Sequence, residues 1–227
     1  MTNFIITIDG PAASGKSTAA RLLAQKLGVC FLDTGAMYRA VTLAAMQAGA
    51  DLTNERQLLD IIDGHKFDFT VRNDFMMVLV DGNDFTKKIR EQNVTSNAKY
   101  IASAPEVRAK LVQMQRRFAA EHKSIVTEGR DQGTVAFPDA AIKFFLTARP
   151  AERARRRLAE LKQKGNTENL EQIKDAIEKR DKSDIERNVG PLKPAQDAIL
   201  IDTTNLDIEQ VVDKLFEYAE NYIKGKN

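Results

Sequence analysis

The stretch Gly10-Pro-Ala-Ala-Ser-Gly-Lys-Ser-Thr18 (GPAASGKST) decides how the rest of the chain is read. It matches the pattern G-x-x-x-x-G-K-S/T, in which backbone N–H groups of a glycine-rich turn cradle phosphate. Such a turn needs a strand before it and a helix after it. Phe4-Ile-Ile-Thr-Ile8 is short, apolar and β-branched and stops at Asp9-Gly10, which predicts a buried parallel strand. Ala20, Leu23, Ala24 and Leu27 then recur at helical spacing over Ser17 to Leu27, and Gly28 is placed to end that helix. In this setting the positive end of the helix adds to the N–H groups of the loop. Gly10, Pro11, Ala12, Ala13, Ser14, Gly15, Lys16, Ser17 and Thr18 are thus the candidate phosphate-binding residues. Lys16 would reach the β- and γ-phosphates, and the Ser17 hydroxyl would sit on Mg²⁺, partly through water.

The same alternation continues outward. Strands are expected at Cys30 to Leu32, Ser124 to Thr127, Ile142 to Leu146 and Ile199 to Ile201. Helices are expected at about Ala36 to Ala48, Pro105 to Glu121, Pro150 to Lys164, Leu170 to Glu186 and Asp207 to Ile223. The last carries Ile208, Val211, Val212, Leu215, Phe216 and Ala219 on one stripe. Strands alternating with helices imply an α/β fold on a mostly parallel sheet. Two segments break the alternation. Phe67 to Phe85 has period-2 character with polar breaks at Arg72-Asn73-Asp74 and Asp81-Gly82-Asn83, as a small antiparallel insert would. Ala151 to Gly190 is dense in charge, includes Lys164-Gly165-Asn166, and reads as a mobile helical excursion.

Composition narrows the function. The 227 residues are 43% hydrophobic and 29% charged, as in a globular domain, and the net charge is only +2. That balance argues against a protein built to coat nucleic acid. The one cysteine, Cys30, lies in the apolar run Val29-Cys-Phe-Leu32 and is expected to be a small buried residue. His65 and His122 lie far apart with no cysteine beside either, so no histidine–cysteine metal site is expected. The first residues, MTNFIITIDG, lack the basic start of a secretory signal, and no apolar run approaches the roughly 18 residues of a membrane span. A cytoplasmic protein with no membrane association is therefore expected.

What is done with the bound phosphate is read from the arginines. The chain has no Asn-Lys pair with which a GTPase would read its base. Ser124-Ile-Val-Thr-Glu-Gly-Arg-Asp131 is not the long apolar strand ending in Asp-Glu of a motor ATPase. It has instead Arg39, Arg108, Arg130, the run Arg153-Ala-Arg-Arg-Arg157, Arg180 and Arg187. The planar guanidinium fork suits a bidentate grip on phosphate. Phosphoryl transfer needs mainly positioning and positive charge around the moving group. An acceptor alcohol wants a base, whereas an acceptor phosphate is already ionised near neutral pH and needs cations to bring two polyanions together. An arginine-rich, histidine-poor chain fits the phosphate acceptor better.

Several stretches together carry a resemblance to one family over nearly the full length. They are ITIDGPAASGKST (from Ile6), LDTGAMYRA (from Leu32), APEVRAKLVQMQR (from Ala104), EGRDQGTVAFPDA (from Glu128), ERARRR (from Glu152), Arg180-Asp181 and PLKPAQDA (from Pro191). The chain resembles bacterial cytidylate kinases. The resemblance implies a P-loop kinase fold, a three-layer α/β/α sandwich on a central parallel five-stranded sheet with a small antiparallel acceptor-binding insert and a helical lid. Residues 1–227 would form a single kinase domain, with the insert at 64–98 and the lid at 151–190. It implies ATP with Mg²⁺ as donor and as the ligand of Gly10 to Thr18, CMP or dCMP as acceptor, CDP or dCDP and ADP as products, and a place in pyrimidine nucleotide metabolism. It also implies Thr34, Tyr38 and Arg39 near the acceptor phosphate, and Arg108 and Asp131 by the cytosine. Arg130 would serve the acceptor phosphate, and Arg180, Asp184 and Arg187 the sugar and phosphates. Arg153 and Arg157 would close over ATP. Lys16, Arg130, Arg153, Arg157 and Arg187 are the candidate catalytic residues. Where the family commonly has a base-contacting serine, this chain has Lys99. A kinase for UMP or a small alcohol, and a nucleotide-dependent RNA-binding module, are the competing readings. A monomer acting on small-molecule substrates, without nucleic acid, is expected.

Overall fold

A computed structural model describes residues 3–72, 75–163, 165 and 167–226. The expected breaks at Asn73-Asp74, at Lys164 and at Asn166 lie outside the described residues. Five strands form one sheet: β1 (Ile5–Asp9), β2 (Cys30–Asp33), β6 (Ile125–Gly129), β7 (Ile142–Thr147) and β8 (Ile199–Asp202). Their order is β2-β6-β1-β7-β8. The strands run parallel, with Ile6 opposite Ile142 and Phe144 opposite Ile199. A second sheet is antiparallel: β3 (Phe67–Arg72), β4 (Phe75–Val80) and the two-residue β5 (Asn83–Asp84). In β4, Met76, Val78 and Val80 are buried in alternation, the period-2 signal read from sequence.

The chain divides into two compact units, Met1–Gly28 with Val126–Asn227, and Val29–Ile125. In the first, α1 (Lys16–Leu27) buries Ala20, Leu23 and Ala24. It ends where Gly28, at φ 67°, turns its N–H back to the carbonyls of Ala24 and Gln25. This unit also holds α6 (Pro150–Gln163), α7 (Leu170–Glu186) and α8 (Ile208–Lys226). A reciprocal capping box between Asn169 and Gln172 starts α7. On α8, Val211, Val212, Leu215 and Ala219 are buried as expected, while Ile208 stays exposed.

The second unit contains α2 (Thr34–Gln47), α3 (Glu55–Gly64), α4 (Gln92–Ser103) and α5 (Pro105–His122). Helix α2 begins two residues before the expected Ala36. The Asp33 side chain accepts from Ala36 N at 2.8 Å and so extends the helix back to its cap. Sequence reading did not anticipate α3 and α4. Each buries two residues, Leu58 and Ile62 in α3 and Val94 and Ile101 in α4; the α3 run Leu58, Leu59, Ile61 and Ile62 had helical spacing that was passed over. Asn54 starts α3 by accepting from Arg56 N and Gln57 N. Cys30 is only half-buried, not fully as expected, and desolvation pushes its thiol up.

Candidate active site

The loop between β1 and α1 has a backbone that its residue types dictate. A Cβ on Gly10 would stand 2.1 Å from the Leu146 carbonyl oxygen, so no larger residue fits this approach. Gly15 caps α1 in the left-handed region at φ 87°. Ala13 is also left-handed, at φ 57°, a conformation that costs an L-residue about 1 kcal/mol or more. Lys16 folds back over this turn, is buried, and donates to the Pro11 carbonyl at 2.9 Å. Burial pushes its ammonium down to about 7. Arg130 and Arg180 push the same way, against the pull of Glu128 and Asp184. The Ser17 hydroxyl donates to Glu128 Oε1 at 3.0 Å. Glu128 sits in β6, the strand beside β1, and is buried. Sequence reading passed over Glu128. The available signal was an apolar run, Ile125-Val126, leading into an acid.

Beyond Glu128 the chain passes through Arg130 and Asp131 into a π-helical turn, Gln132–Ala136. Arg130 Nε donates to Asp184 Oδ2 at 2.6 Å, and Nη1 donates to the Gly129 carbonyl at 3.2 Å. Arg187 lies 3.6 Å from Asp131 Oδ1 and 3.8 Å from Asp184 Oδ1. Burial raises the Asp184 carboxyl, but Arg130, Arg180 and Arg187 outweigh it and hold the group below the ordinary carboxylate range. Arg130 is desolvated, yet Asp184 and Glu128 keep it firmly protonated. Asp131 makes no side-chain cap bond to the turn that it precedes. The turn is held by Asp9, a second residue that sequence reading missed. Asp9 accepts from Gln132 N at 2.9 Å and Gly133 N at 2.8 Å. Burial pushes its carboxyl up to about 6 despite those two bonds.

The remaining arginines of this unit are spread out among carboxylates. Arg153 is buried and donates to the carbonyls of Ala148 and Ala12, each at 3.0 Å, and pairs with Asp181. Arg157, one turn further along α6, pairs with Glu160 at 2.8 Å. Arg180 is exposed on α7. Arg130, Arg180 and Arg187 therefore act on Asp184, whereas Arg153 and Arg157 take different partners.

In the Val29–Ile125 unit, Thr34 opens α2 and is buried, with Tyr38 and Arg39 one turn on. Asp33 draws in two arginines, Arg39 at 3.4 Å and Arg90 at 2.9 Å. Burial raises the Asp33 carboxyl, and the two guanidinium groups bring it below its ordinary value. Arg90, absent from the expected site residues, comes from the short 3-10 turn Lys88–Arg90. Its signal was the basic run Lys87-Lys88-Ile89-Arg90. Arg108 is buried on α5, donates to the Ala102 carbonyl at 3.2 Å, and stands 5.6 Å from the centre of the Tyr38 ring. Lys99 is exposed, with its ammonium 5.0 Å from the Tyr100 ring centre.

A parallel five-stranded sheet with a phosphate-type loop between its first strand and first helix, and a buried lysine folded over that loop, defines a P-loop kinase. A family model described as "Cytidylate kinase" matches residues 6–221. The chain is 48% identical over 225 residues to the cytidylate kinase of Pseudomonas syringae pv. tomato, with 97% of each chain covered. It is 43% identical over 220 residues to that of Anoxybacillus flavithermus, again with 97% of each covered. Among solved structures, an uncharacterized protein from Eubacterium ventriosum shares the fold at 15% identity and a TM-score of 0.53, covering 97% of this chain and 99% of its own. The chain belongs to the cytidylate kinase family. It is an enzyme, and its reaction is ATP-dependent phosphoryl transfer to CMP.

Proposed function

We propose that residues 1–227 work as one kinase domain, with 64–98 as acceptor insert and 151–190 as lid, on CMP or dCMP. The observation that carries the reading is the cationic cluster near the loop lysine: Arg130 and Arg187 held by Asp131 and Asp184, with Arg130 near enough to depress Lys16. These carboxylates pair with guanidinium groups that would also suit substrate phosphates. Loop residues Gly10 to Thr18 take the ATP phosphates, with Lys16 on the β- and γ-groups. An acceptor phosphate oxygen attacks the γ-phosphorus, and the bond to the β–γ bridging oxygen breaks, leaving ADP. Arg130 and Arg187 screen the approach of the two anions, Arg153 and Arg157 serve the ATP side, and Arg180 and Asp184 the sugar and phosphates. Thr34, Tyr38 and Arg39 take the acceptor phosphate end, and Arg108 and Asp131 the cytosine.

The residues present suit Mg²⁺. Ser17 and Glu128 offer oxygen ligands 3.0 Å apart, and magnesium is commonly held by one or two protein oxygens plus substrate phosphates and waters. When bound, the ion would neutralise charge on the β- and γ-phosphates. No described helix is long and apolar enough to cross a membrane. Action on small molecules and not nucleic acid accords with the small net charge of +2, and a cytoplasmic monomer belongs to the same proposal. The test is ADP formation against CMP, dCMP, UMP and a simple alcohol, with an RNA titration at two salt concentrations. Turnover on CMP and dCMP far above UMP and the alcohol is expected. Equal turnover on the alcohol, or tight salt-sensitive RNA binding, would overturn the reading.

A further inference from the structure

Asp181 belongs to a sequence match, Arg180-Asp181, yet none of the roles above uses it. Asp181 is buried on α7. Oδ1 accepts from the backbone N–H of Ala12, inside the phosphate loop, at 3.0 Å. Oδ2 accepts from Arg153 Nη1. The same guanidinium donates to the Ala12 carbonyl, and its Nε to the Ala148 carbonyl. One ion pair, formed by side chains from two helices, therefore satisfies both polar groups of a single loop residue. Ala12 also belongs to one buried apolar cluster with Ala154, Leu161, Ile173 and Ile177 of the same two helices.

Two consequences follow from this geometry. Ala12 immediately precedes Ala13, the residue in the unfavourable left-handed conformation, so fixing the Ala12 peptide on both sides steadies the strained turn that shapes the loop. Helix α7 also carries Arg180 one residue before Asp181 and Asp184 three residues after it, and Asp184 holds Arg130. A displacement of α7 would strip buried loop groups of their partners and at the same time shift the carboxylate on Arg130.

We propose that Asp181 is a positioning residue of the transfer reaction. Through Arg153 and the Ala12 peptide it holds the phosphate loop in its anion-binding shape and ties that shape to the seating of α7. The inference rests on the reading that Gly10 to Thr18 takes the ATP phosphates, and Lys16→Ala tests that reading separately.

The experiment measures kcat and KM for ATP and CMP in the wild type, Asp181→Asn, Arg153→Lys, Asp181→Asn with Arg153→Lys, and Lys16→Ala. Hydrogen exchange of the peptide spanning the loop is followed in each. Asparagine keeps the shape but loses the charge opposite Arg153, and lysine keeps the charge but cannot reach Asp181, Ala12 and Ala148 at once. Asp181→Asn is expected to lower kcat/KM for ATP by about 10- to 100-fold while the KM for CMP moves less than about threefold. Loop exchange should quicken, and because the buried Arg153 charge loses its carboxylate the melting temperature should fall as well, so kinetics and exchange are read well below it. The double variant should match the worse single variant, because both act through one contact. Near-wild-type ATP kinetics in Asp181→Asn, losses that multiply in the double variant, or a loss that disappears when the assay is cooled would each overturn the proposal. If Asp181→Asn does not fold, loop exchange in Arg153→Lys carries the test, since Arg153 also serves ATP directly, and unchanged exchange there would overturn the proposal. A dead Lys16→Ala beside a normal Asp181→Asn sinks only the Asp181 role. An active Lys16→Ala sinks the loop reading itself.

Discussion

Replacing Asp9 by asparagine tests whether burial or hydrogen bonding governs the end of β1. The Asp9 carboxyl is 4% exposed, accepts two backbone N–H groups, and is pushed from 3.8 to about 6. The two bonds favour the ionised form and burial opposes it; the upward direction says that burial wins. At about 1.36 kcal/mol per pH unit, the displacement corresponds to about 3 kcal/mol. Because the folded carboxyl is the weaker acid, the folded state binds more protons than the unfolded chain between pH 3.8 and about 6. The associated stability is fully present below pH 3.8 and is lost as the pH rises through 6. Over the experimentally convenient range, about 2 kcal/mol of it disappears between about pH 4 and about pH 7.5. Asparagine at position 9 does not titrate. The stability of the wild type minus that of Asp9→Asn should therefore fall by this amount over that range, read from urea unfolding at half-unit steps of pH. Carboxylates held low, such as Asp33 and Asp184, contribute equally to both proteins and cancel in the difference. Parallel profiles would refute the reasoning and show that the two N–H donors compensate burial in full.

Lys16→Met should lower turnover by about 10²- to 10³-fold or more, since the charge acts on the donor phosphates. Because burial holds the lysine near 7 against 10.5 when free, the variant's stability relative to wild type should grow as pH falls from 10.5 to 7 and level off below, as urea unfolding would show. Asp131→Ala should reduce the preference for CMP over UMP by at least about tenfold in kcat/KM, because a carboxylate accepts from the cytosine amine and repels the uracil carbonyl. An unchanged ratio would move base selection to Arg108 or the Lys99 region. Hydrogen exchange across 151–163 and 167–190 should slow on adding an ATP analogue with CMP, and unchanged protection would count against a closing lid.

The elements that local pattern encodes were legible in the sequence. The glycine-rich loop with its strand and helix, the stop at Gly28, the alternation of Met76, Val78 and Val80, and the stripe from Val211 to Ala219 all follow from periods of 3.6 or 2 and from glycine's freedom. Such signals lie within a few residues of each other, where chain geometry alone sets which side chains share a face. Helix α4 escaped because Val94 and Ile101 stand almost alone on its buried face, whereas the helical spacing of Leu58, Leu59, Ile61 and Ile62 in α3 was present and passed over. The sequence motifs also gave the expected arginines, but not their partners. Asp181 reaches the Ala12 peptide across 169 residues, Glu128 meets Ser17 across 111, and Arg90 meets Asp33 across 57. Asp9 finds the Gln132 and Gly133 amides in the same way. No period links such positions, and every acid in the chain is locally as good a partner as another. Only the tertiary structure selects among them: β6 lies beside β1, and α7 is seated against the loop. A buried charge then has no water to turn to, so the few groups within reach decide both its partner and its proton affinity.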